Sequence, residues 1–392
     1  MDYQQFKALC ESPDSSELAR LDKLFNSLLI SFSFARREER GEVPEEESAV
    51  LSRELLDIEQ RRQDERDRRR ASQTYLREAM SDELHERIYT ALIDLLNEPE
   101  RIHTRALNLS PESIELLDVL FARASSMKTI EETIKSLPWL CEDLIKMVNG
   151  PAFVNASDQR RVKVATITNA LRFIGMDDLR LLVPVFCLRR WIPQSMEPFN
   201  LCRGKIRKSA LSTGVAAQVI AEESGVVEPS KAFVVGLMHD LGKASLVRLY
   251  SLLFEDIQHA FLTELRYGNN SKRYNALLEL RPSAHFLRDL NLHLSGRFAS
   301  ALFSEFELKY IPFHAVYTEL NKAKSLQDFT GMGLTLYQAQ RYSLFRTLYS
   351  EKLASSQDGK RLCAEAELSQ RTLEALRSVN LKRLKLSRGA VR

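Results

Sequence analysis

The feature that most restricts the fold of this sequence is a long succession of short apolar patterns at helical spacing. Through the middle of the chain these patterns follow one another with brief Gly, Asn or Pro interruptions, as at Gly225. The predicted helices cover 114–122, 130–136, 140–148, 164–174, 177–188, 206–223 and 229–246. No alternating apolar and polar stretch is long enough to predict a sheet, and no internal repeat is visible.

Composition supports the same fold class. The 392 residues include 14 glycines and 12 prolines, about half of average usage, and a β-sandwich or barrel needs both at its many turns. Apolar residues make up 44% of the chain, which is enough for a core and excludes a wholly disordered protein. We therefore predict an all-α fold.

The sequence also predicts the compartment. A membrane-spanning helix needs about 18 or more consecutive apolar residues, and the strongest runs, near 181–188 and 232–238, are much shorter. The amino end lacks the basic and apolar regions of a signal peptide. The five cysteines are scattered and form no CxxC pair. We expect a cytoplasmic protein that does not contact a membrane.

Three segments are predicted. Residues 1–110 form a helical region with a long charged helix, 111–320 a helical domain, and 321–392 a helical region with a basic tail. In the last segment Tyr337, Tyr342 and Phe345 are interpreted as core. Another helix is predicted over 360–379.

Two charged stretches leave an alternative open. The net charge of +3, from 56 basic and 53 acidic residues, does not by itself indicate nucleic-acid binding. The run 59–70 is interpreted as a solvated helix with internal charge pairs, and the tail 377–392 as a solvated terminus. In the alternative, either stretch contacts the phosphates of a nucleic acid or an acidic partner.

The segment 232–246 carries the most chemical information. An apolar helix leads to His239-Asp240 and then to Gly242-Lys243. A histidine and an aspartate can supply one nitrogen and one oxygen ligand to a divalent metal ion. A hydrolytic centre needs more ligands and an open position for water.

The chain resembles the HDOD domain, a helical relative of the HD superfamily found in bacterial signalling proteins. The resemblance is carried by 232–246 and four further blocks, which cover 136–154, 164–186, 206–225 and 291–311. It implies an HDOD-like helical bundle with flanking amino- and carboxy-terminal helices. It also implies an interaction or sensing module in place of a catalyst.

Departures from the superfamily pattern reduce the metal-ligand set. The position matching the first metal-binding histidine of HD phosphohydrolases is Lys208, and a protonated ammonium has no lone pair for a metal. The later His-x-x-x-Gly pattern is one residue short at His293, because Gly296 follows three residues on. The set that remains is His239 and Asp240, with His293 as a candidate whose spacing does not match.

Lys208 suggests a replacement for the metal. A buried carboxylate needs a partner, so we predict that Lys208 pairs with Asp240 and holds two helices together. Lys208 or Lys243 is also a candidate contact for phosphate. Among the remaining histidines, His85 and His103 are predicted to be exposed.

The first functional hypothesis is a non-enzymatic bacterial signal-transduction or regulatory protein that acts through a protein partner or a small ligand, without a cofactor. The second is a metal-dependent phosphohydrolase acting on a nucleotide or cyclic dinucleotide, with a divalent metal at His239 and Asp240. Nucleotide binding without hydrolysis lies between these two. The third is a nucleic-acid-associated regulator.

Overall fold

A computed structural model of the chain describes residues 1–12, 16–41, 57–150, 163–268, 270–306, 308–386 and 389–391. Side chains are described throughout these ranges except at 57–73 and 389–391. The described chain is helical from end to end, with one small hairpin near the carboxy terminus. The all-α prediction is confirmed.

The helices fall into three groups along the sequence. The first group comprises α1 (Tyr3–Glu11), α2 (Glu17–Ile30), α3 (Phe32–Arg40), α4 (Asp57–Leu95) and α5 (Pro99–Ala106). The second comprises α6 (Pro111–Leu120), α7 (Met127–Lys135), α8 (Pro138–Val148), α9 (Ile167–Ile174), α10 (Met176–Trp191), α11 (Asn200–Ser224), α12 (Pro229–Met238), α13 (Leu241–Tyr267), α14 (Ser271–Leu278), α15 (Ala284–Leu302) and α16 (Phe313–Lys322). The third comprises α17 (Gly331–Ser350), α18 (Ser356–Glu365) and α19 (Gln370–Ser378), preceded by a 3-10 turn at Leu326–Asp328.

Local sequence explains where many of these helices begin. Ser110, Ser126, Thr166 and Ser283 each stand at an N-cap, where the side-chain oxygen accepts a hydrogen bond from a backbone N–H of the first turn. Proline occupies the first turn of α5, α6, α8 and α12, where its missing N–H has no helical partner to lose. Turn chemistry therefore fixes these boundaries.

Three details of the predicted elements are wrong. The helix predicted over 229–246 is two helices, α12 and α13, with a break at His239 and Asp240. The helix predicted over 360–379 is likewise divided between α18 and α19. The tail is not a frayed terminus over its whole length, because β1 (Leu384–Leu386) pairs with β2 (Gly389–Val391) as an antiparallel hairpin and Leu384 is buried.

The long charged helix lies only partly within the described residues. The backbone of 57–70 lies within α4, so the helical part of that prediction is confirmed. Residues 48–56 lie outside the described chain, and the side chains of 57–73 are not described. The charge pairs and the phosphate contacts proposed for 59–70 stay predictions.

The core is built around two long helices. The α11 helix packs along α12 and α17, and α13 packs along α15. The first and third groups also meet directly in a separate apolar cluster, in which Leu24 and Leu28 of α2 join Leu344 and Leu348 of α17. The two ends of the sequence are therefore packed together beside the middle segment. In the described chain, no helix is both long enough and apolar enough to cross a membrane.

Candidate functional site

The His-Asp pair lies at a sharp turn between two buried helices. Every residue from Ala232 to Met238 at the end of α12 is buried, and α13 begins at Leu241. The turn leaves the side chain of Asp240 with no exposed surface and His239 close to the protein interior. The predicted position of this pair, at the end of an apolar helix, is confirmed.

The buried carboxylate of Asp240 is bound by two neighbours in the sequence. Lys243 donates from Nζ to Oδ1 at 2.7 Å, and His239 Nε2 lies 3.1 Å from the same oxygen. Burial raises the pKa of the Asp240 carboxyl, but the charges of His239 and Lys243 outweigh it and hold that pKa well below its usual range. The other oxygen, Oδ2, has no hydrogen-bond partner among the described residues.

Both ring nitrogens of His239 are engaged. Nδ1 lies 2.6 Å from the carbonyl oxygen of Gly236, and because a carbonyl only accepts, Nδ1 carries the proton of that bond. A hydrogen bond from Nε2 to Asp240 requires a second proton, so an imidazolium is the form that satisfies both contacts. The lone pair that would bind a metal is taken up in this arrangement.

The predicted pair between Lys208 and Asp240 is wrong. Lys208 is exposed on α11 and forms no ion pair with any described residue, whereas Lys243 lies one turn after Asp240 and reaches it directly. The α11 residues that line the cavity beside this pair are Ser209 and Thr213, which are both buried, and not Lys208. The cation beside Asp240 is therefore Lys243, three residues further along the sequence, and not a residue of α11.

A close helix crossing brings α15 to the His-Asp turn. A Cβ atom added to Gly242 would lie 2.7 Å from the backbone nitrogen of Ala299, and closer still to the carbonyl oxygen of Ser295. Only glycine allows the two backbones to approach this closely. Asn291 and His293 of α15 line the same cavity as His239 and Lys243.

A cavity of about 600 Å³ opens beside this turn, and its wall includes His239, Lys243, Asn291, His293 and Ser295. Its wall comes from α2, α11, the α12–α13 turn, α15, α16, α17 and α18, together with the segment between α16 and α17. Polar wall residues from these elements are Asp22, Asn26, Ser209, Thr213, His239, Lys243, Asn291, His293, Ser295, Tyr317, Asn321, Lys324, Ser325, Tyr337, Gln340, Arg341 and Glu365. The cavity lies where the three groups of helices meet.

Several buried polar side chains in the wall lack partners. Asn291 is 2% exposed, Thr213 2% and Ser209 4%, and the side chains of all three form no hydrogen bond with a described residue. Asn26 donates to the Asp22 carbonyl oxygen, but its own Oδ1 has no partner among the described residues. Buried polar groups are usually hydrogen-bonded, so this concentration indicates a place built for a polar occupant.

The opposite wall is held by residues far apart in the sequence. Arg341 of α17 donates from Nη1 to both carboxylate oxygens of Asp22 on α2, at 2.7 and 2.8 Å. Tyr337 stacks on Phe329 at 5.2 Å between ring centroids and donates to Glu365. The interpretation of Tyr337 as core is therefore incomplete, since it also lines the cavity.

Comparison with known proteins supplies the family. Residues 109–272 match the model described as the HDOD domain. This stretch is an HDOD domain. The match begins within two residues of the predicted domain start at 111 and ends before α15, so the boundary at 320 stays a prediction. None of the curated proteins searched matches the chain.

Two solved structures share weak likeness with the chain. One is a proposed metal-dependent phosphohydrolase from Shewanella amazonensis SB2B, 15% identical, covering 76% of this chain and 98% of its own, with a TM-score of 0.44. The other is the MmoQ response regulator from Methylococcus capsulatus strain Bath, 16% identical, covering 69% of this chain and 97% of its own, with a TM-score of 0.26.

A divalent metal ion does not fit the donor set of this HDOD domain. Within the described residues, no group of three or more His, Cys, Asp or Glu side chains is placed to hold a metal. The ammonium of Lys243 lies where a cation would meet Asp240 Oδ1, and the Nε2 atom of His239 faces that same oxygen. Two ligands with a competing ammonium fall short of the four that a structural site uses.

His293 lies in the wall of the cavity and is not a third ligand of the His-Asp pair. It is half-buried on α15, packs edge-on against Phe6 at 5.9 Å, and contacts neither His239 nor Asp240 through a hydrogen bond or ion pair of the described chain. Burial lowers the pKa of His293. The neutral ring is then the favoured form, able to donate and accept one hydrogen bond each toward the cavity.

Two histidines predicted to be exposed are not. His85 is 8% exposed, stacks on Phe286 at 4.1 Å, and its Nε2 lies 3.1 Å from the hydroxyl of Tyr250. His103 is half-buried and donates from Nε2 to the carbonyl oxygen of Leu302 at 2.8 Å. Both join helices of the first group to the HDOD domain and its following helices.

Proposed function

We propose that this protein is a regulatory or signal-transduction protein whose HDOD domain acts by binding and not by hydrolysis. The observation that carries the proposal is the ion pair of Lys243 with Asp240, in which an ammonium of the chain itself meets the carboxylate oxygen. A hydrolytic HD centre would need that oxygen, the Nε2 lone pair of His239 and further ligands for its metal. We also propose that the protein acts in the cytoplasm.

A small polar ligand in the cavity is the mode of action that we favour. The groups available in the wall include the hydroxyls of Ser209 and Thr213, the amide of Asn291 and the two remaining N–H donors of Lys243. The hydroxyls and the amide can each donate and accept, and Lys243 adds N–H donors with a positive charge, so the wall can bind both the phosphate and the base of a nucleotide. Lys243 is then the contact for phosphate, and Lys208 is not, because it does not line the cavity.

Ligand binding at this position would also reach the rest of the chain. The wall contains Asp22 of α2 and Arg341 of α17, whose ion pair joins the two ends of the sequence. A ligand that favours one arrangement of these helices would shift their equilibrium and change the surface that a protein partner meets. We propose that a protein partner binds this surface and distinguishes its two states.

The test is a paired measurement of binding and turnover. ATP, GTP and cyclic di-GMP are each added to the full chain with and without Mg²⁺, and thermal shift and product formation are recorded together. We expect at least one nucleotide to stabilise the protein without formation of a hydrolysis product. A ligand at a concentration of 100 times its Kd adds about 2.7 kcal/mol to the free energy of unfolding. Thr213→Val should abolish the shift, and Lys208→Met should leave it unchanged.

The competing outcomes separate the alternatives. Product formation that is lost in His239→Ala, together with stoichiometric metal in protein purified without a chelator, would establish the phosphohydrolase. Absence of any thermal shift with all three nucleotides would remove the small nucleotide from the proposal and leave the protein partner. In both cases the Lys243 ion pair can be tested separately through stability.

A further inference from the structure

The first two turns of α11 carry a basic surface that the cavity does not use. Arg203, Arg207 and Lys208 lie here on one side of the helix, and the first acidic residue of α11 is Glu222, in its last turn. Within the described chain, none of these three cations forms an ion pair. We call Arg203, Gly204, Arg207 and Lys208 the α11 basic surface.

The guanidinium groups of this surface are held near like charges. Burial together with the charges of Arg189 and Arg203 lowers the pKa of Arg207, so burial and repulsion both oppose its positive charge. Arg203 Nε is buried and has no hydrogen-bond partner among the described residues. An anion at this position would relieve the repulsion and supply the missing acceptor.

Gly204 stands at the centre of the surface. At about 100° per residue around the helix, Arg203 and Arg207 lie on one side of Gly204 and Lys208 lies on the other. A Cβ atom added to Gly204 would have no described atom within 4 Å, so no described packing contact requires a glycine here. Glycine inside a helix is destabilising relative to alanine, and its advantage is that another backbone can approach closely.

We propose that the α11 basic surface binds the sugar-phosphate backbone of a nucleic acid. Arg203 and Arg207 are separated by about 6 Å along the helix, which suits contacts to neighbouring phosphates of one strand. The planar fork of arginine binds phosphate oxygens bidentately. Gly204 lets the strand lie close to the helix between Arg207 and Lys208. This inference is independent of the cavity ligand and places the nucleic-acid contact on α11, away from 59–70 and the tail.

The first experiment measures binding of a fluorescein-labelled random-sequence DNA duplex of about 20 base pairs to the full chain by anisotropy, across roughly 50 to 200 mM NaCl. We expect Arg203→Gln/Arg207→Gln to weaken binding at least 10-fold and to reduce the salt slope by about 1.8, since each phosphate contact contributes about 0.9. Arg266→Gln/Arg297→Gln removes two exposed arginines elsewhere and serves as the charge-matched control.

Three results would overturn the inference. They are no binding by the wild type at 50 mM NaCl, an equal loss in the control variant, or tighter binding of polyglutamate than of DNA. The last would assign the surface to an acidic protein. Unchanged melting temperatures in both double variants would show that a loss of binding is not a loss of folding.

A second variant separates contact from stability. Gly204→Leu places a good helix former in open space, so it should raise the melting temperature while it weakens DNA binding by blocking the close approach. A structural role for Gly204 would instead lower the melting temperature. Gly204→Leu with DNA affinity equal to wild type would contradict the close approach that the proposal requires.

Discussion

Replacement of Lys243 by methionine tests the central contact of the site. The carboxylate of Asp240 has no exposed surface, and the side chain of Lys243 is 13% exposed, so this ion pair lies in the protein interior. Removing one partner of a buried pair costs about 3–5 kcal/mol, because a charge is left without compensation. His239 still contacts the same oxygen, so we expect a loss of about 3 kcal/mol, at the lower end.

A double-mutant cycle measures how much of that loss belongs to the pair. Asp240→Asn removes the charge that Lys243 compensates, so Lys243→Met should cost less in its presence than in the wild type. The expected coupling energy is about 2 kcal/mol. The measurement is urea unfolding followed by circular dichroism, with the denaturant slope compared among variants to confirm that the same transition is observed.

Lys208→Met is the matched control for this cycle. It removes the same side chain from an exposed position of α11 and should change the free energy of unfolding by no more than about 0.5 kcal/mol. If Lys243→Met lies within about 1 kcal/mol of wild type, or if the cycle is additive, the Lys243–Asp240 pair does not hold this turn together.

Three further predictions concern stability. Burial lowers the pKa of His85 from 6.5 to about 4, so the free energy of unfolding should be highest above pH 6.5 and fall by about 3 kcal/mol towards pH 4. A His85→Phe variant should lose part of this pH dependence. A variant of an exposed histidine, His259→Phe, should retain it. Gly242→Ala should unfold far more easily than wild type or fail to accumulate, because the new methyl would meet the Ser295 backbone; an unchanged urea midpoint would contradict this crossing. Asn291→Leu should raise the urea midpoint by removing a buried amide without partners, while it abolishes ligand-induced stabilisation; a lowered midpoint would show that the amide has a structural role.

The positions of the helices could be predicted from the sequence better than their packing against one another. Helical spacing located the helices of the middle segment, and the apolar run before His239 placed the His-Asp pair correctly at a helix end. It did not predict the break between α12 and α13, because Leu241, Ala244 and Leu246 continue the apolar pattern and no proline lies between Met238 and Leu246. Gly242 lies inside α13 and does not mark the boundary. The turn geometry at Asp240 is a property of the packed structure.

The identity of the cation beside Asp240 could not be predicted by matching positions. A match to the family pattern placed Lys208 near the pair, but exposure depends on how α11 is rotated about its axis, which tertiary packing sets. Lys243 was available three residues from Asp240, a spacing at which side chains on a helix meet. That local rule was the usable signal.

The burial of His85 and the far wall of the cavity depend on long-range contacts. His85 is covered by Tyr250, 165 residues away, and Asp22 is bound by Arg341, 319 residues away. Single-sequence patterns report which face of a helix is apolar, but not which distant helix will cover it. The polar residues Asn26 and Asn291 gave no motif, and their common cavity appears only when α2 and α15 are brought together.

The polar residues of the cavity also argue for an occupant on energetic grounds. Leaving a buried polar group without a partner costs about 1–3 kcal/mol, so the two oxygens Asn26 Oδ1 and Asn291 Oδ1 would together cost a substantial part of the roughly 5–15 kcal/mol by which a typical protein is stable. If Asn26 and Asn291 served packing alone, apolar side chains of similar volume would serve it better. Their cost is removed when an occupant bonds to them. A ligand that does so stabilises the folded chain in proportion to its occupancy, which connects binding in the cavity to the packing of the helices around it.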